Sequence, residues 1–279
     1  MIGTYFKRAL KWIVRGVPVN KVTVSVVQRA AVNRLAGKGV LITGGGRGLG
    51  FYMAKKLLSE GANVIITGRN EDTLRIASRD LGGCPYLRFD SNNFEEMDSF
   101  FEKAQERIKC DINCLINNAG ISLHEHSYED VTIEGFDAQF NTNIKSPYFL
   151  TQYFLKYANR RGISQLNVIF VSSERGLYGD TLPYGLTKSA LNSLTRGLAR
   201  KYVTKGVRVN AIAPGVTASD MTHVNKDGNL YREKSCGKRV LVPEEIAEVA
   251  AFLLSDESGC ITGEIVPCNQ GNHLRSDYK

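Results

Sequence analysis

Tyr184 and Lys188 stand four residues apart, a spacing that puts both side chains on one face of a helix. A free phenol titrates at about 10, too high for proton transfer at neutral pH, but a neighbouring ammonium favours the phenolate. The pair is therefore a candidate general acid/base. Tyr-x-x-x-Lys is common by chance and gains meaning only from its surroundings.

A second centre is the run Gly44, Gly45, Gly46, Arg47, Gly48, Leu49 and Gly50, directly after the apolar residues Val40, Leu41, Ile42 and Thr43. A glycine-rich turn between a strand and a helix lets backbone approach a pyrophosphate, which then rests on the helix N-terminus. A dinucleotide is expected there. An NAD site usually has an acid at the end of the second strand to bind the ribose 2'-hydroxyl. This chain instead reads Ile65, Ile66, Thr67, Gly68, Arg69, Asn70. Arg69, together with Arg47 in the turn, gives a 2'-phosphate two cationic partners, so NADP(H) is favoured. Glu71 and Asp72 just beyond keep NAD(H) open.

These residues need elements to position them. Short apolar runs bounded by turn residues at 39–43, 63–67, 84–89, 114–117, 167–172, 207–212 and 264–268 suggest seven strands. Helical stretches between them include 48–60, 95–108, 136–160, 184–202 and 243–254. Strands apolar on both faces, alternating with helices, mean an α/β fold: a doubly wound parallel sheet covered on each side. Without repeats or low-complexity linkers, residues 37–279 read as one domain behind an extension of residues 1–36.

With 279 residues, 43% of them hydrophobic, the chain can bury a large core, and no apolar run approaches the roughly 18 residues needed to span a bilayer. The formal charge is +8, and the extension holds Lys7, Arg8, Lys11, Arg15, Lys21, Arg29 and Arg34 with no acid. The body is thus nearly neutral, which removes support for a nucleic-acid-binding role. Six cysteines without a Cys-x-x-Cys pair or histidines at ligand spacing read as reduced thiols and no metal site. A cytoplasmic location follows from that reading.

Within the extension, Ile2, Phe6, Ala9, Leu10, Ile13 and Val17 recur every three or four residues, the pattern of a basic amphipathic helix. Pro18 ends it, and Val22, Val24 and Val26 then alternate with Thr23 and Ser25 as an extended segment would. Three roles are open to this arm. It is a peripheral contact to an anionic membrane through residues 1–17, a packing arm on the protein's own body or a neighbouring subunit, or a transit peptide.

Taken together, Thr43-Gly44-x-x-x-Gly48-x-Gly50, Asn117-Asn118-Ala119-Gly120, Asn143, Ser173, Tyr184-x-x-x-Lys188 and Pro214-Gly215 resemble, in order and rough spacing, the short-chain dehydrogenase/reductase family. The resemblance covers nearly all of residues 37–279 and implies a seven-stranded Rossmann-type sheet. It also implies hydride transfer between a nicotinamide cofactor and an alcohol/carbonyl pair. Tyr184 would be the proton donor, Lys188 would bind the nicotinamide ribose and lower the tyrosine pKa, Ser173 would polarise the substrate oxygen, and Asn143 would hold a relay water. Thr43, Gly44, Gly46, Arg47, Gly48, Leu49, Gly50, Arg69, Asp90, Asn117, Ala119, Gly120, Pro214, Gly215 and Thr217 match cofactor-binding positions. Asp90 is placed at the adenine, and Pro214, Gly215 and Thr217 at the carboxamide. Ser173 is aligned in preference to Ser172 because Gly176 follows it by three.

The resemblance has departures: Ser173 and Tyr184 are about two residues closer than is usual, and Asn269-Gln270-Gly271 replaces Asp-Gly-Gly. Pocket lining is expected from Ser122, His124, Glu174, Arg175, Tyr178 and the segment 221–239, several of them polar or charged. A sugar-like or other polar hydroxy compound is the leading expectation. Alternatives are a steroid, an acyl-thioester ketone, or a non-catalytic NADP(H)-binding scaffold. The family habit implies a homo-dimer or homo-tetramer.

Overall fold

In the computed structural model, which describes residues 20–25 and 33–274, the first apolar run is strand β1 (Gly39–Thr43). Val40 and Ile42 enter the core on one face and Leu41 on the other, and all three are fully buried. Six further strands follow: β2 (Asn63–Gly68), β3 (Tyr86–Arg88), β4 (Cys114–Asn117), β5 (Leu166–Val171), β6 (Val207–Pro214) and β7 (Ile265–Cys268). They form one sheet in the order β3-β2-β1-β4-β5-β6-β7, with every neighbouring pair parallel. The order reverses between β1 and β4, and sheets of this kind bind ligands outside the carboxyl ends of the strands at that reversal.

Helices α1 (Gly48–Ser59), α2 (Glu71–Asp80) and α7 (Pro243–Leu254) pack on one face through Met53, Leu57, Leu74 and Ile246. Helices α3 (Met97–Ile108), α5 (Ser146–Arg161) and α6 (Pro183–Tyr202) cover the other through Phe100, Phe101, Phe154 and Leu191. Each face is a dry layer of interlocked side chains, which is what holds the loops at the strand ends in place. α4 (Ile133–Phe140) leads into α5.

Two elements differ from the sequence expectation. The expected helix at 136–160 is two helices joined by a π-helical turn, Asn141–Lys145. The widened turn lets Asn143 face inward, where its Nδ2 donates to Ile121 O at 2.8 Å. The third strand is only three residues because Pro85, which has no N–H, stands at its start.

The end of the extension packs on the body: Leu35 is fully buried, and the Arg34 guanidinium meets the Glu60 carboxylate at 2.7 Å. That contact holds the Glu60 carboxyl down at about 2. The amphipathic stretch at residues 2–17 lies outside the described residues. All six cysteines are free, and burial pushes the Cys84 and Cys114 thiols up to about 12. No described helix is long and apolar enough to cross a membrane.

Candidate active site

The glycine turn is built around Thr43. Its hydroxyl accepts the backbone N–H groups of Asn118 and Ala119, both at 3.0 Å, and so ties the end of β1 to the end of β4. Asn118 completes the knot by donating its side-chain amide to Thr43 O at 2.9 Å and Gly44 O at 3.1 Å. Gly44 has φ +64°, and a Cβ there would press on Ala119, while a Cβ on Gly50 would collide with Gly44 O. Only glycine serves at either position. α1 begins at Gly48 with no acidic residue in its first turn and no side chain capping it. Its leading N–H groups and the dipole therefore face an open turn, as a pyrophosphate requires. The residues present fit a dinucleotide.

At the outer end of that site Arg47 and Arg69 are both exposed, and Arg88 donates to Arg69 O at 3.2 Å. Asn70 is committed to capping α2 by accepting Thr73 N at 2.8 Å. Arg88 carries no spacing signal, and only β2–β3 pairing brings it here. Asp90, after β3, is exposed and accepts Asn92 N at 3.0 Å.

The inner end holds the polar side chains expected to act in proton transfer. Lys188 lies on α6, is only 4% exposed, and donates to Val171 O at 2.8 Å. Burial without a facing carboxylate pulls its ammonium down to about 8. Half-buried Tyr184 lies one turn earlier, with Lys188 Nζ 5.5 Å from its ring centre. Burial pushes the phenol up, and the Ser173 hydrogen bond and the Arg175 guanidinium pull against that rise. Asn143 Oδ1 accepts Ile121 N at 2.9 Å, and its Nδ2 also donates to Thr187 Oγ1 at 3.2 Å. A Cβ on Gly120 would stand 3.2 Å from Asn143 Oδ1 and 3.5 Å from Lys188 Nζ, so its absence leaves both groups facing one gap.

The two adjacent serines part company. Ser172 Oγ donates to Asn192 Oδ1 at 2.7 Å and to Lys188 O at 3.3 Å, which packs α6 against β5. Ser173 Oγ instead accepts Arg175 N at 3.2 Å and sits beside the Tyr184 phenol, whose rise it opposes.

The chain is similar to known proteins. A family model described as enoyl-(acyl carrier protein) reductase matches residues 44–273. An L-fucose dehydrogenase from Bos taurus is 31% identical, over 84% of this chain and 88% of its own length. An NADP-dependent (R)-specific alcohol dehydrogenase from Lentilactobacillus kefiri is also 31% identical, over 83% of this chain and 94% of its own. The crystal structure of a 3-ketoacyl-(acyl-carrier-protein) reductase from Brucella melitensis complexed with NADH superposes with a TM-score of 0.77 at 27% identity, covering 85% of this chain and 99% of that one. The chain belongs to the short-chain dehydrogenase/reductase family. It is an oxidoreductase acting on CH–OH donors.

Around the family's core the structure rearranges part of the expected pocket lining. Glu174 is buried, pointing away toward the loop after β7, where Asn272 Nδ2 donates to it at 3.2 Å. Burial raises its carboxyl above the usual range, with the Asn272 and Asn269 amides opposing. Arg175 forks onto Asp180 at 2.5 and 2.6 Å, and Asp180 also accepts Leu182 N at 3.0 Å. That clamp closes the short 174–183 loop directly before Tyr184. The Asp180 carboxylate fills the space a side chain at 185 would need, which fixes Gly185 beside the tyrosine. Neither Asp180 nor Asn118 stood out as a site residue, since each acts through its neighbours.

The remaining wall comes from residues 216–242, which leave β6 after Pro214. Gly215 N donates to Cys268 O at 2.9 Å, and Thr217 Oγ1 to Gly215 O at 2.9 Å. Asp220 reaches Arg47 of the glycine turn at 3.5 Å, and Met221 O bonds His124 Nε2 at 3.1 Å. This segment thus bridges the turn after β1 and the loop after β4. Behind it Ala218, Leu230, Val240 and Val242 form a small apolar cluster of their own.

Proposed function

We propose that the protein is an NADP(H)-dependent oxidoreductase that moves a hydride between the nicotinamide and a secondary alcohol or ketone, with Ser173, Tyr184, Lys188 and Asn143 as its catalytic set. The observation that carries the reading is buried Lys188, donating to Val171 O one helical turn from half-buried Tyr184 and facing the same gap at Gly120 as Asn143. Bound and reduced, the nicotinamide would supply the hydride. Tyr184 gives its phenolic proton to the carbonyl oxygen as the new C–H bond forms, and Ser173 donates a hydrogen bond to the same oxygen. Lys188 favours the resulting phenolate, and the gap it shares with Asn143 accommodates a water that returns the proton.

Thr43, Gly44, Gly46, Gly48, Leu49 and Gly50 hold the pyrophosphate in this reading, with Asn117, Ala119, Gly120, Pro214, Gly215 and Thr217 along the nicotinamide half. Asp90 lies beside the adenine. Arg47 and Arg69 support NADP(H) over NAD(H), because among the described residues neither has a carboxylate nearer than the Asp220 contact at 3.5 Å.

The substrate class shifts. Glu174 and Arg175 supported a polyhydroxylated substrate, and both are turned to structural partners. Ser122 and His124 remain beside exposed Leu123 and Met221, which supports a ketone with an apolar substituent over a free sugar. Exposed Ile133, Phe136, Tyr148 and Leu186 on α4, α5 and α6 support a homo-oligomer joined through those helices.

The test is NADPH consumption by the purified chain against apolar cyclic ketones, 3-ketoacyl thioesters and ketoses. Turnover highest with the first two supports the reading. Turnover with ketoses alone contradicts the substrate assignment, and no turnover with NADPH or NADH, in either direction, contradicts the reaction.

A further inference from the structure

Residues 20–25 of the basic extension lie against the outer side of the 216–242 segment. Val22 and Val24 are half-buried, whereas Lys21, Thr23 and Ser25 are exposed, so the side chains alternate inward and outward. The contact is hydrogen-bonded along its length. Leu230 N donates to Val22 O at 3.1 Å, Val22 N to Asn229 Oδ1 at 3.1 Å, and Asn229 Nδ2 to Asn20 O at 3.0 Å. Val24 packs into the cluster of Ala218, Leu230, Val240 and Val242. It also shares a crevice with Tyr52 and Lys55 of α1, which begins at the glycine turn.

That cluster is the only apolar support among the described residues of 216–242 that is separate from the two sheet layers. The segment's links to the site are weaker: an exposed ion pair from Asp220 to Arg47 and one hydrogen bond from Met221 O to His124. An added apolar side chain and three hydrogen bonds therefore bear on where Asp220 and Met221 stand. Ladder bonds pass the constraint inward, from Leu230 to Val240 N at 2.8 Å and from Leu241 to Ala218 N at 2.8 Å.

We propose that residues 20–25 are a positioning element of the active site: the arm docks on the 216–242 segment and holds it over the glycine turn and the reacting groups. The arm and whatever occupies the turn then favour one another's binding, because both engage the same segment and such coupling is reciprocal. This second consequence rests on the dinucleotide reading, and the first does not.

Amide hydrogen exchange on the full chain without ligand tests the first. Val24→Asp places a carboxylate in the cluster, and Thr23→Asp places one on the exposed side next door. Exchange at Leu230, Val240 and Ala218 is expected to quicken about tenfold or more in Val24→Asp and to stay unchanged in Thr23→Asp. Asn229→Ala, which removes two of the arm's bonds, gives a smaller change at the same amides. Equal exchange in the two Asp variants, or an effect confined to Leu230, overturns the proposal. NADPH titration tests the second consequence: Val24→Asp weakens affinity about fivefold. Unchanged affinity beside faster exchange shows that the positioning does not reach the site and overturns that part. Failure of the wild-type chain to bind NADPH contradicts the cofactor reading, while the exchange result still decides the arm.

Discussion

Lys188 is 4% exposed and fixed to Val171 O at 2.8 Å, whereas Arg47 and Asp220, which join the 216–242 segment to the glycine turn, are 75% and 68% exposed at 3.5 Å. The floor of the site and its cover are thus held by different physics. On the floor, Lys188 and Asn143 are dry and each has a fixed partner, so their side chains stay where helix and strand put them. On the cover, the ion pair that reaches the glycine turn is wet and weak.

The largest expected effect breaks the floor. Tyr184→Phe keeps the ring and removes the proton, so kcat falls about a thousandfold while NADPH affinity stays within about twofold. Steady-state rates beside a fluorescence titration would show it.

Lys188 offers a sharper test, because here activity and stability oppose each other. Burial holds its folded pKa at about 8 against the ordinary 10.5, so the unfolded chain keeps the proton more readily. Below pH 8 the folded protein therefore carries the cost of a buried ammonium, about 3 kcal/mol, and that cost fades as pH rises from 8 through 10.5. Lys188→Met should abolish turnover yet raise the thermal midpoint at pH 7 by several degrees, with the difference from wild type closing toward pH 10.5. A midpoint lowered at pH 7 contradicts this account of the floor.

Thr43→Val strands the N–H groups of Asn118 and Ala119 and should cost about 2 kcal/mol in chemical denaturation, weakening NADPH along with it. The cover answers more softly. Asp220→Ala should change the unfolding free energy by less than about 1 kcal/mol, and added salt should mimic it.

How much of this was legible in the sequence follows the same division. β1 and β4 coincide with their apolar runs, and α7 begins at Pro243, where a proline suits the first helical turn. Local pattern decided those elements. The π turn around Asn143 was hidden because the helical period continues on both sides of it, and what draws Asn143 inward is the distant backbone of Ile121. Ser173 and Ser172 are neighbours of one type, and it is α6 that claims Ser172 through Asn192 while Ser173 accepts the local Arg175 N–H. Glu174 and Arg175 looked like pocket residues, but the loop after β7 and Asp180 claim them. The alternation at Val22 and Val24 was readable, while the surface it meets depends on a segment some two hundred residues later in the chain.

The most direct measurement is fluorescence titration of the purified chain with NADPH and with NADH, alongside Arg69→Ala. The expected result is tighter binding of NADPH, lost about tenfold in the variant while NADH is unaffected, as removal of a charge-assisted contact to a 2'-phosphate requires. Preference for NADH, or an equal loss of both cofactors in Arg69→Ala, would contradict the assignment of that arginine and of the cofactor it selects.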